Sequence, residues 1–228
     1  MTEIVIPIPA RIKNAVPGGH VAGAEDIIDD TLNMTQDVIN QIVSDKVITV
    51  SMSSSSSATS MGTQGSVKIT ASAGISMDTI TIKKDGTAFP NPGSGTSYNV
   101  TDNAVSDYGT TAYTSEFVKG GLTKTSSITV GAVYYGASTN TSLSAFPSGS
   151  KFIFKTSSAG TYNVTVGTAA SYVWFFVPSS MSISRATKSG FDFPLENPVT
   201  ITVEGVSYKA YRSSNTYDAG TESVTLYA

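Results

Sequence analysis

The sequence predicts a mainly β protein. Its order is an extended N-terminal arm, a short helix, an immunoglobulin-like β-sandwich and a C-terminal β domain. Three observations carry this reading. Charged residues make up only 14% of the 228-residue chain, against about 25% in an average soluble protein. Short segments with period-two alternation of apolar and polar residues recur from Val47 to the end, the pattern of half-buried strands. Only one stretch, residues 25–45, has helical spacing.

Composition bounds the class further. The net charge is −3 and the isoelectric point near 5.1, so no basic stripe is available for phosphates and nucleic-acid binding is not expected. Cysteine is absent, which removes disulfides, thiolate metal sites and Cys nucleophiles. No stretch reaches the roughly 18 apolar residues of a membrane span, so no membrane insertion is expected. The first ten residues have Glu3 where a leader needs basic charge, and Pro7 and Pro9 interrupt the apolar run. That pattern predicts synthesis in a cytoplasm without an ordinary export signal.

Residues 1–24 read as an extended arm. Val5, Ile6 and Ile8 are apolar, but the neighbouring prolines oppose both a helix and a central strand. With Arg11 and Ile12 they are the candidate anchoring residues. The alternative is a flexible tail, although disordered tails are usually poor in Ile and Val.

Residues 25–45 read as a helix. Glu25, Asp26, Asp29 and Asp30 open it, where negative charge complements the macrodipole. Ile28, Leu32, Thr35, Ile39 and Ile42 follow a 4-3-4-3 spacing, a heptad seam. An isolated helix of this length is marginal in water, so it packs on its own β domain or on copies of itself. Repeated β-branched seam residues favour trimers and tetramers over dimers, and a homotrimer is the expectation.

Residues 46–134 hold about six or seven strand signals. They include Val47–Met52, Ser66–Ala71, Asp78–Lys83, Ser97–Thr101, Thr111–Phe117 and Ser127–Tyr134, with a Ser-rich loop at Ser53–Ser57. Asp85-Gly86 is a hairpin signal. This spacing is that of an immunoglobulin-like sandwich, in architecture only. Residues 135–228 form the second β module. Its strand signals are Lys151–Phe154, Tyr162–Val166, Tyr172–Val177, Val199–Val203, Gly205–Tyr211 and Ser223–Tyr227, with a tight turn at Glu204-Gly205. Tyr172–Val177 is apolar on both faces, which predicts a buried central strand.

Chemistry-bearing constellations are sparse. His20 is the only histidine and stands in the arm without a partner. Gly93-Ser-Gly95 and Gly149-Ser-Lys151 lack the spacing of a phosphate loop. Asp26, Asp29 and Asp30 lack the pattern of a calcium loop, and Asp192, Glu196, Glu204 and Asp218 have no spacing that assigns an acid/base pair. No catalytic residue, metal site or cofactor is expected. Aromatic residues concentrate in the C-terminal module. Most belong in a core; Phe191, Phe193, Tyr211 and Tyr217, placed in loops, are the candidate ligand contacts.

Two sets of runs carry a family resemblance. The first is Ala10–Val21, Ala24–Asp30 and Gln36–Asn40. The second is Val133–Ser138, Tyr172–Met181, Gly190–Phe193 and Gly205–Ser213. Together they resemble virion appendage proteins of Bacteroides phages, including crAss-like phages. The resemblance implies a non-enzymatic homotrimeric fibre on the virion surface. N-terminal arms hold it to the major capsid or another virion protein, and β domains project outward. A head fibre is favoured over a tail fibre, because the chain lacks a long shaft and capsids offer threefold axes. The fibre is either decorative or adhesive to a host surface glycan. The alternatives are a tail fibre or receptor-binding protein, and a bacterial glycan-binding adhesin.

Overall fold

The computed structural model describes residues 48–168 and 170–228. The expected arm and helix lie outside the described residues, and so do all the anchoring and seam candidates. The described residues are mainly β and contain no helix.

The first strands are β1 (Val50–Ser55), β2 (Thr59–Ser60), β3 (Val67–Lys84), β4 (Thr87–Ala88) and β5 (Gly93–Asp102). Then come β6 (Thr110–Lys119), β7 (Leu122–Ser138), β8 (Lys151–Lys155), β9 (Gly160–Val166) and β10 (Ser171–Pro178). The series ends with β11 (Arg185–Lys188), β12 (Phe191–Asp192), β13 (Val199–Val203), β14 (Val206–Tyr217) and β15 (Gly220–Tyr227). The larger sheet runs β1-β3-β6-β7-β10-β14-β13, with β5 and β4 also on β3 and β8 also on β7. The smaller sheet runs β12-β11-β15-β9. All pairings are antiparallel.

Two apolar cores explain why the middle of the sheet is apolar on both faces. Val130, Ala132 and Tyr134 of β7, Trp174 and Phe176 of β10, and Tyr208 of β14 enter one core with Ile69, Ile80 and Phe117. The intervening side chains, Val133, Tyr135, Val173, Phe175 and Tyr211, enter the second core. Tyr162, Val164, Val224 and Leu226 of the smaller sheet close that core from the opposite side, in a sandwich-like arrangement. The run Tyr172–Val177 is accordingly a central strand, flanked by β7 and β14. Residue 134 falls inside β7, and the described residues fall within one compact unit.

Local chemistry sets the connections. Asp85-Gly86 joins Lys84 to its partner Thr87, and Glu204-Gly205 joins Val203 to Val206. Both central residues of each turn have positive φ: 46° and 85°, then 49° and 76°. Turns of this hand match the right-handed twist of the paired strands. Ser66–Ala71 and Asp78–Lys83, expected as two strands, are one bent strand. Its buried residues shift from odd positions (Val67, Ile69, Ala71, Met77) to even ones (Ile80, Ile82), where the register to β5 slips. Gly74 lies in the bend; its N–H donates to the Thr49 carbonyl at 2.9 Å, and a Cβ there would stand 2.5 Å from Thr49 Oγ1.

Candidate ligand-contact surface

The β11–β12 hairpin turns through Ser189-Gly190, with φ of 52° and 84°, and sets Phe191 opposite Lys188. Because β12 is the edge of the smaller sheet, no strand covers Phe191 from beyond, and its side chain is 79% exposed. On the other side of β11, Arg185 is paired with Tyr227 of β15, and its guanidinium lies 4.4 Å from the centre of that ring. The Tyr227 hydroxyl is held below the usual tyrosine range, first by its hydrogen bond with Thr187, which with the Arg185 hydrogen bond and charge outweighs the raising effect of burial. A cleft of about 390 Å³ opens beside this strand, with Arg185, Asp192, Glu196, Pro194 and Leu195 among its lining. An exposed ring, a cation and two carboxylates equip this end of the smaller sheet for non-covalent contact.

The four aromatic candidates separate here. Phe191 is at the surface, as a contact residue must be. Phe193 is not: only 2% exposed, it belongs to the second core. The Phe193 N–H, just past the end of β12, donates to the Ala186 carbonyl at 2.9 Å. Its ring stacks on Tyr217 with centroids 5.1 Å apart. Tyr211 is also core, at 6% exposure, and its hydroxyl accepts the Ile183 N–H at 3.2 Å. Phe193 and Tyr211 are therefore mainly core residues, although both also border the cleft beside Arg185. Tyr217 is half-buried between Phe193 and the Lys188 ammonium, 5.3 Å from its ring centre. Burial and then the Glu222 carboxylate push its hydroxyl upward, and Glu222 is ion-paired with Lys188.

Arg185, Asp192, Glu196 and Tyr227 were not among the expected contacts. Arg185 falls in a four-residue strand too short to show alternation, and Tyr227 reads from sequence as the end of a strand. No cluster of three or more His, Asp or Glu residues suited to a metal ion occurs among the described residues. No helix long and apolar enough to cross a membrane occurs among them.

Set against protein-family models, curated proteins and solved structures, the chain matches none. The class rests on the molecule itself: a mainly β, antiparallel, sandwich-like body with an exposed aromatic at one sheet edge.

Proposed function

We propose that this chain is a non-enzymatic virion protein of a bacteriophage, a homotrimeric fibre on the particle surface. The N-terminal arm holds it to the major capsid or another virion protein, the helical seam trimerises it, and the β body, with an immunoglobulin-like first half, projects outward. A head position is preferred to a tail position. The observation that supports this best concerns the runs that carry the resemblance. Val133–Ser138, Tyr172–Met181 and Gly205–Ser213 are distant in sequence, yet they supply β7, β10 and β14, three neighbours at the centre of one sheet. They thus behave as a single packing unit, the kind of feature a shared fold retains.

In an adhesive fibre, Phe191, 79% exposed at a sheet edge, is the ring offered for contact. The oligomer is tested by light scattering on the full chain at micromolar concentration. A trimer that Ile39→Asp converts to monomer supports the reading; a wild-type monomer overturns it.

A further inference from the structure

The loop between β7 and β8, residues 139–150, has no regular structure, yet it is pinned at several points. Phe146 is its plug. That ring lies 3.9 Å from Tyr134, and 5.0 Å from each of Phe176 and Tyr208, in the first core. At one end Arg212 Nη1 donates to the Thr141 carbonyl at 2.8 Å, and the guanidinium rests on the Tyr172 ring at 4.6 Å. At the other end the Ser150 N–H donates to the Pro147 carbonyl at 3.1 Å. A loop held this way loses little conformational freedom when it binds something.

Between this loop and the turn after β9 lies a cleft of about 680 Å³, within the size range of small-molecule sites. Its composition is unlike that of the cleft at Arg185. Ser138, Asn140, Ser142, Ser148, Thr168 and Ser171 are among its lining, and among the described residues no Asp, Glu, Lys, Arg or His is. Leu143, Phe146 and Pro147 supply apolar patches. Beneath the loop, polar capacity is left over. Gly136, Trp174 and Arg212 are successive register partners across β7, β10 and β14. Ser150 sits against Gly136. The Ser150 Oγ, Trp174 Nε1 and Arg212 Nε are all buried without a hydrogen-bond partner.

We propose that this cleft binds a neutral saccharide. A phosphate, carboxylate or sulfate entering it would lose hydration and meet no charged side chain in the lining, since the Arg212 guanidinium is engaged by the Thr141 carbonyl and the Tyr172 ring. A purely apolar ligand would strand the lining hydroxyls. A neutral sugar suits both halves of the lining, because its hydroxyls donate and accept like those of Ser and Thr, and its C–H faces pack on the apolar patches. The site stands apart from the Phe191 edge and does not depend on the fibre reading.

The test is affinity electrophoresis of the full chain through gels containing neutral polysaccharides (dextran, galactomannan, xyloglucan) or acidic ones (polygalacturonate, heparin). At least one neutral polymer is expected to retard the chain and neither acidic one. Asn140→Ala and Ser142→Tyr, both at exposed positions, are each expected to weaken retardation about tenfold, roughly the 1.4 kcal/mol of one good polar contact, at unchanged Tm. Absence of retardation by all three neutral polymers overturns the proposal. So does equal retardation by the acidic ones, or retardation that both variants leave intact. Absence of the chain from phage particles would overturn the fibre reading and leave this one standing.

Discussion

Tyr113 donates its hydroxyl to the Asp102 carboxylate at 2.6 Å, in a site where Tyr113 is fully buried and Asp102 only 4% exposed. Lys84 Nζ stands 2.9 Å from the same carboxylate, and the Ala104 N–H donates to it at 2.9 Å. The pair ties the end of β5 to β6 and to the end of β3, so it joins three segments that neither alternation nor turn chemistry joins. Burial pushes the Asp102 pKa up, but the Tyr113, Lys84 and Ala104 hydrogen bonds together pull it below the usual carboxylate value.

A depressed folded pKa means that Asp102 stabilises the fold above the unfolded value of about 4 and loses that contribution as pH falls through the folded value. Asp102→Asn is expected to cost about 2 kcal/mol at pH 7, in the range of hydrogen bonds to charged groups. It should also flatten the decline in stability on acidification below pH 4. Urea unfolding at several pH values between 7 and 2 measures both. An unchanged acid limb would show that the carboxylate does not act this way.

Tyr208 gives the opposite sign. Burial pushes its pKa up to about 12, against a smaller lowering by the Gly109 N–H, which donates to its hydroxyl at 2.7 Å. The folded chain therefore holds this proton more tightly than the unfolded one. Stability is intact below pH 10 and falls as pH rises from about 10 to about 12. Tyr208→Phe should lower stability at pH 7 and make the alkaline decline shallower, read by the same unfolding curves between pH 8 and 12.

Phe191 and Phe193 should respond in opposite ways. Phe193→Ala empties a filled site in the second core and is expected to cost about 3–5 kcal/mol. Phe191→Ala should stay within about 0.5 kcal/mol, as exposed substitutions do. Thermal unfolding separates the two. If the fibre is adhesive, Phe191→Ala should lower host-cell binding by trimers at unchanged Tm.

Gly136 tests the seating of the 139–150 loop. A Cβ there would stand 2.4 Å from Ser150 Oγ and 3.3 Å from Ser150 Cα. Gly136→Ala is expected to destabilise by about 1–3 kcal/mol, the range of overpacking. Adding Ser150→Gly removes the clashing side chain and should recover part of that loss, so a double-mutant cycle should give a clear coupling. Additive effects would mean that the two residues do not meet.

Most strands were legible because alternation and paired turn residues are local signals. Tyr172–Val177 could be placed at the centre from its unbroken apolar run alone. The turns at Gly120-Gly121 and Ser189-Gly190 carry the same double positive φ as those that were read, but Ser189-Gly190 joins strands of four and two residues, too short to frame it. Ser53–Ser55, expected as loop, continue β1 because β3 supplies the partner edge, information that lies more than ten residues away. The difference between Phe191 and Phe193 was illegible for a related reason. They share chemistry and stand two residues apart, and only the fold separates them: Phe191 lies on the edge strand β12, and Phe193 just past it, against Tyr217. Binding signals suffered most, since the clefts are shaped largely by irregular segments that no alternation pattern encodes.

The fibre proposal is tested most directly by locating the chain on particles. Antibodies raised against residues 48–228 should decorate intact purified phage in immunogold microscopy, at a regular spacing on the head. Labelling should vanish when residues 1–24 are deleted from the phage-encoded chain while the β body still folds. Particles that carry no label, although the same antibodies detect the full-length chain in the infected cells, would contradict a virion location.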